Sequence, residues 1–118
     1  MTYRRTKREL YRAMRWGQKR LALLETKVEL SVDEVPRGLG AFCVQEDETG
    51  KVCGASQWLS GGNRVQMIVL RDVCAEKQID PVEVVMHELG HIAGCATEPL
   101  ADKFASVLFE LWGLNHRS

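Results

Sequence analysis

The first third of the chain shows a helical hydrophobic period followed by the two-residue period of a strand. Over residues 3–24 apolar positions recur every three, four or seven residues, which predicts a helix with one apolar stripe. The stripe comprises Tyr3, Leu10, Met14, Gly17, Leu21 and Leu24. Thr6 and Glu9 have the spacing of a capping box at its start. Residues 26–32 alternate between apolar and polar side chains, which is typical of a half-buried strand.

The middle of the chain contains short apolar segments separated by turn residues. A loop around Pro36 and Gly38 precedes segments 41–45 and 52–59, which flank an acidic turn and predict a hairpin. A second turn at 60–63 leads into 64–70, whose Val, Ile and Met residues predict another strand. Residues 71–78 are predicted to form a short helical turn.

The C-terminal third has the clearest helix boundaries. Asp80 suits an N-cap, Pro81 the first helical position and Gly94 the stop, so a helix is expected from about 81 to 93. Its predicted core face consists of Val82, Val85, Met86, Leu89 and Ile92. A last helix is expected from Glu98 to about Trp112. This order predicts one α+β domain over residues 1–118 with a small mixed sheet of three to four strands.

The charge distribution is uneven although the net charge is zero. Residues 1–27 contain nine Lys/Arg against Glu9 and Glu25, a net +7 that leaves −7 for the rest. Such a basic helix could attract nucleic acid, an acidic protein or anionic lipid, or it could be a solvated face that complements the acidic remainder.

No stretch has the apolar length of a membrane span, and the basic N-terminus precedes no apolar signal region. We therefore expect a cytoplasmic protein without membrane contact, whose four cysteines are reduced, small apolar core residues.

The residues His87-Glu88-Leu89-Gly90-His91 point to metal chemistry. Histidines four apart on a helix project from the same side, and this spacing supplies two of the nitrogen ligands that zinc requires. Glu88 flanks the pair and can exchange a proton with a zinc-bound water. Gly90 lacks a side chain, which predicts close approach of another backbone or of substrate.

A catalytic zinc needs a third protein ligand. The extended motif would have histidine at 97, where this chain has threonine, so Cys95 and Glu98 remain as candidates. We favour Glu98, with Asp102 four residues later accepting the free ring N–H of a ligand histidine. Alternatively, Glu98 complements the helix dipole and Asp102 is a solvated acid. A purely structural zinc is the weaker hypothesis, since only Cys95 is locally available as a fourth ligand.

The His-Glu-Leu-Gly-His motif followed by Glu98-Pro99-Leu100-Ala101-Asp102-Lys103-Phe104-Ala105 resembles the gluzincin arrangement of zinc peptidases. It is particularly similar to ImmA/IrrE-type and minimal single-domain gluzincins of bacteria, archaea and phages. The resemblance covers roughly residues 81–109, and the six residues between His91 and Glu98 are fewer than in most gluzincins. It implies a minimal zincin-like domain with Zn²⁺ bound by His87, His91 and Glu98, Glu88 as general base and Asp102 as partner of a ligand.

The resemblance also implies a zinc metalloendopeptidase that hydrolyses a protein or peptide. An extended substrate would pair with the strand at 63–70, or that segment is an ordinary core strand. The alternative function is a zinc-containing regulatory or nucleic-acid-associated module with little or gated proteolysis, for which the basic N-terminal helix is the reason. No oxyanion stabiliser is evident, although Tyr3, Tyr11, Arg71 and His116 have suitable chemistry.

Overall fold

The computed structural model describes residues 4–36 and 52–116. Within these ranges the fold is α+β, with four helices and one three-stranded mixed sheet. In chain order the elements are α1 (Lys7–Arg20), β1 (Lys27–Val32), β2 (Gly54–Trp58), β3 (Arg64–Val69), α2 (Arg71–Lys77), α3 (Pro81–Ile92) and α4 (Glu98–Asn115). The strand predicted at 26–32, the turn at 60–63 and the short helix at 71–78 are confirmed.

Helix α1 begins at the predicted capping box and ends earlier than its apolar pattern indicates. Thr6 Oγ1 accepts a hydrogen bond from the Glu9 N–H at 3.0 Å, and Glu9 Oε1 accepts one from the Thr6 N–H at 3.1 Å. The buried Gln18 Nε2 then donates to two carbonyl groups of the following turn, at 3.1 and 2.9 Å. This turn passes through Ala22 at φ 57°, so the helix stops at Arg20. Leu24, predicted on the apolar stripe, is instead 49% exposed.

The sheet has the order β1-β3-β2, with β1 parallel and β2 antiparallel to β3. Because β3 is central, it is buried from Val65 to Val69 and paired along both sides. The prediction that the 63–70 strand offers an edge to substrate is therefore wrong, and the core-strand interpretation is correct. The first arm of the predicted hairpin, 41–45, lies outside the described residues.

Helix α3 packs between α1 and α4. Its N-cap is the predicted Asp80, whose carboxylate accepts from the Val82 N–H at 2.9 Å and pairs with the Arg5 guanidinium at 2.6 Å. All five residues predicted on its core face are buried. At the crossing with α1, a Cβ on Gly17 would lie 2.5 Å from Leu89 Cδ1, so the absent side chain allows the two helices to approach.

Candidate metal centre

The two histidines of the motif project together from α3. Their ring centroids are 4.8 Å apart and their Nε2 atoms lie 3.1 Å from each other. The side chains are 17% and 24% exposed for His87 and His91, so they line an opening rather than the core. This arrangement confirms the prediction that residues four apart share one side of the helix.

The end of α3 orients one of these rings. Gly94 adopts φ 113°, and the N–H groups of Gly94 and Cys95 donate to the carbonyls of His91 and Gly90 at 3.1 and 2.9 Å. These are the two hydrogen bonds of a Schellman motif. The turn brings the Cys95 carbonyl to 2.8 Å from His91 Nδ1. Cys95 thus contacts the site through its backbone, and its thiol is not part of the ligand group.

Helix α4 supplies the acidic side of the centre. Thr97 caps it by accepting from the Leu100 N–H at 3.3 Å, which positions Glu98 in the first turn. The Glu98 carboxylate lies 2.9 Å from His91 Nε2 and 3.0 Å from His87 Nε2. One turn later, Asp102 Oδ1 lies 2.8 Å from His87 Nδ1. The structure therefore brings together all the residues that were predicted as ligands and ligand partner.

Gly90 explains how α4 approaches so closely. A Cβ at this position would lie 3.7 Å from the Ala101 Cα and 3.3 Å from Cδ1 of Phe104. The sequence-based expectation that another backbone approaches Gly90 is confirmed.

The donor set fits a divalent metal such as zinc. Each Nδ1 faces an oxygen acceptor, Asp102 for His87 and the Cys95 carbonyl for His91, so each neutral ring carries its proton there. The two Nε2 lone pairs then converge with the Glu98 carboxylate, all within 4.8 Å. Three acceptors that face one point repel each other unless a positive charge, a proton or a metal cation, lies between them. Tetrahedral zinc, with bonds of about 2.0–2.1 Å, needs ligand atoms about 3.3 Å apart.

Glu88 is buried beside this group. Its Oε1 accepts a hydrogen bond from Ser56 Oγ at 2.7 Å, and its Oε2 is 4.0 Å from His87 Nε2. Burial raises the pKa of the Glu88 carboxyl above its usual value, and the hydrogen bond from Ser56 partly offsets this. Sequence reasoning missed Ser56, because no local pattern relates two residues 32 positions apart.

The centre opens into a cleft of ≈ 900 Å³ between β2, α3 and α4. Gly54, Ser56 and Trp58 share one face of β2, and a Cβ on Gly54 would lie 2.6 Å from Val84 of α3, so this face looks toward α3. Trp58 is 52% exposed and lines the cleft. Sequence reasoning did not assign Trp58 to a cleft. The two-residue period of a strand, which places Trp58 on the same face as Ser56, was the signal that could have found it.

The outer side of β2 presents backbone groups to the same cleft. The Leu59 N–H donates to Arg64 O and the Leu70 N–H to Cys53 O, each at 2.8–2.9 Å. Odd-numbered residues of β2 therefore bond to β3, and the N–H and C=O of the even-numbered residues point away from β3. No other described strand pairs with this outer edge of β2.

Three of the side chains with suitable chemistry for oxyanion stabilisation are engaged in other contacts. Tyr11 Oη donates to the Leu30 carbonyl at 2.9 Å, and Arg71 binds the Asp33 carboxylate. His116 stacks on Trp112 with centroids 4.8 Å apart. Tyr3 lies outside the described residues. Among the residues that the structure describes, no side chain is thus assigned to this role.

The cysteines and the basic helix complete the set of predicted features. Cys53, Cys74 and Cys95 form no disulfide, and of these three only Cys74 is fully buried. Cys43 lies outside the described residues. A hydrogen bond with Cys53 and burial raise the pKa of the Cys74 thiol, which keeps it protonated. The basic side chains of α1 are exposed on the face opposite the core, including Arg8, Arg12, Arg15 and Lys19.

Comparison with known proteins gave no match to any family model, curated protein or solved structure. Among the described helices, none combines the length and apolar character needed to cross a lipid bilayer.

Proposed function

We propose that this protein is a zinc-dependent metallopeptidase of the gluzincin type. The proposal depends mainly on one observation: two histidine Nε2 atoms and the Glu98 carboxylate converge on one point beside the buried carboxylate of Glu88. A structural zinc would require a fourth protein ligand. The described group has three, which leaves a position for water at the cleft.

The protein side chains have distinct tasks in peptide hydrolysis. Bound zinc would lower the pKa of a coordinated water and polarise the scissile carbonyl. Glu88 Oε2 would accept the proton of the attacking water and later return it to the leaving nitrogen. Ser56 holds Oε1, so that Oε2 is the oxygen directed toward the histidines. Asp102 and the Cys95 carbonyl fix the two rings in the tautomer that ligation needs.

The substrate would bind as an extended peptide along the outer edge of β2. The outward N–H and C=O groups of Gly54, Ser56 and Trp58 could pair with it, and the cleft on α3 would accept alternate side chains. This assignment replaces pairing with the central strand β3.

The first test is zinc content by elemental analysis of the purified protein. We expect about one zinc per chain in the wild type and in Cys95→Ala, and loss of zinc in Glu98→Ala. Loss of zinc only in Cys95→Ala, or a wild type without zinc, would contradict the assigned ligand set.

The second test separates metal binding from chemistry. Glu88→Gln should retain zinc and lose about 10²- to 10⁴-fold in kcat for peptide hydrolysis, because the general base is removed. Glu83→Gln is the matched control, since Glu83 lies on the same helix and lines the same cleft. Full hydrolysis by a folded Glu88→Gln protein would refute the mechanism.

A second function, nucleic-acid association, is supported by the row Arg8, Arg12, Arg15 and Lys19 on α1. These residues recur every three or four positions on the face opposite the core, and the described residues offer them no acidic partner within ion-pair distance. Four phosphate contacts to duplex DNA would give a salt slope of about −3.6 in log K against log salt. Replacing all four with glutamine should abolish binding. If the wild type does not bind at low salt, this function is excluded.

A further inference from the structure

Helix α4 carries an apolar row that faces away from the metal centre. Leu100, Val107, Leu111 and Leu114 are 51%, 59%, 42% and 56% exposed. Glu98 and Asp102, on the other side of the same helix, reach the histidines of α3. Single exposed apolar residues are ordinary on protein surfaces, whereas a contiguous patch marks an interaction surface.

The spacing of this row is that of a coiled-coil seam. Together with the half-buried Phe104, the apolar positions follow one another at intervals of four, three, four and three residues. This is the alternation of d and a positions in two successive heptads. The seam extends over 15 residues of α4, from Leu100 to Leu114, which is about 21 Å at 1.5 Å per step.

Two oppositely charged residues flank the seam. Lys103 and Glu110 are exposed, occupy successive g positions and form no ion pair with the other described residues. They are seven residues apart on one helix, about 10 Å, so they cannot pair with each other. In an antiparallel pair of α4 helices, Lys103 of each chain faces Glu110 of the other, and the two-fold axis produces this pair twice. In a parallel pair each g position would instead face an e position of the partner, where Leu108 and Asn115 offer no opposite charge.

We propose that the protein forms a two-fold symmetric dimer in which α4 packs antiparallel against α4 of a second copy. In this register Leu100 packs against Leu111 of the second copy, and Phe104 against Val107 of the second copy. The seam is smaller than the roughly 800 Å² per partner of a standard interface, so we expect a weak dimer with Kd on the order of 10–100 µM. The cleft remains open, because the metal-binding residues lie on the opposite side of α4.

The test is sedimentation velocity from about 1 µM to 1 mM, with and without a zinc chelator. The wild type should dimerise under both conditions, and Val107→Glu should weaken association about 100-fold or more by burying a charge at the centre of the seam. Circular dichroism checks that the variant is folded. A wild type that is monomeric throughout would mean that something else covers the seam, and it overturns the proposal. A dimer that survives Val107→Glu, or that needs zinc, overturns it as well.

Charge-exchange variants test the antiparallel orientation without changing the apolar seam. Lys103→Glu and Glu110→Lys should each weaken self-association about tenfold, because each creates two like-charge contacts across the two-fold axis. An equimolar mixture of the two variants should form a heterodimer about as tight as the wild type, since both flanking pairs become opposite in sign. A mixture that associates no better than its components overturns the antiparallel arrangement.

Discussion

The hydrogen bond between Asp102 and His87 offers a direct test of the metal centre. Asp102 Oδ1 lies 2.8 Å from His87 Nδ1, which fixes the proton on Nδ1 and directs Nε2 toward the ligand point. The corresponding partner of His91 is a backbone carbonyl, which no substitution removes. Asp102→Ala removes both charge and acceptor, whereas Asp102→Asn removes the charge and retains an acceptor oxygen.

The expected loss of zinc affinity in the Asp102 variants follows from this contact. Loss of a carboxylate that orients a ligand histidine typically weakens metal binding about 10- to 100-fold. Asp102 is 70% exposed, so solvent screens its charge and the effect of the alanine variant should lie near the lower end, at about tenfold. A charge-assisted hydrogen bond is about twice as strong as a neutral one, so the asparagine variant should lose only about threefold.

The assay is competition for zinc against a chromogenic chelator of known affinity at pH 7. Glu76→Ala on α2 is the control, because it removes an exposed helical carboxylate that does not line the cleft. Thermal unfolding of the zinc-free proteins checks that the substitutions do not act through folding. If Asp102→Ala binds zinc within twofold of the wild type, the proposed orientation of His87 is incorrect.

Two further predictions concern contacts outside the ligand set. Ser56→Ala leaves the buried Glu88 carboxylate, the proposed general base, without its hydrogen-bond donor, so kcat for peptide hydrolysis should fall about tenfold while zinc content stays at the wild-type level. Unchanged kcat would show that Ser56 does not position the base. Asp33→Asn tests an ion pair at the start of α2, where Arg71 holds the pKa of Asp33 below its ordinary 3.8. The pair stabilises the fold above pH 3.8, and this contribution disappears as the pH falls through the lower folded-state value. In urea unfolding, Asp33→Asn should lower the free energy of unfolding by up to about 1 kcal/mol at pH 7, and it should have no effect below the folded-state pKa of Asp33. A loss of stability that persists in acid would exclude the ion pair as its cause.

The grouping of His87, His91, Glu98 and Asp102 could be predicted from the sequence because these residues are close together in the chain. Asp80 and Gly94 define both ends of α3, and the four-residue interval then determines which side chains share a face. Glu98 follows the Gly94 turn at the start of the next helix, and Asp102 lies one helical turn after Glu98. Each inference needed only helix geometry and short-range capping, so the predicted ligands lie together in the structure.

The sheet could not be predicted to the same depth. Alternation and β-branched residues identify strands, but they do not determine which strands pair, because pairing joins segments such as 27–32 and 64–69 that are distant in the chain. The central position of β3, with β2 at the edge of the described sheet, therefore appeared only in the structure. The end of α1 was missed for another reason: the hydrogen bonds of Gln18 to the following turn outweigh an apolar pattern that continues to Leu24.

The short interval between His91 and Glu98 depends on the conformation of Gly94. Its φ of 113° lies where L-residues are strained, and no atom lies within 4 Å of a Cβ added there. Gly94→Ala should therefore act through backbone conformation alone, costing about 1–2 kcal/mol in the free energy of unfolding. It should also weaken zinc binding, because the turn carries both the Cys95 carbonyl and Glu98. Gly113→Ala is the matched control, since it has equal space but lies within α4, where alanine should stabilise by up to about 1 kcal/mol. If the two variants have the same stability and zinc affinity, the turn does not determine the geometry of the centre.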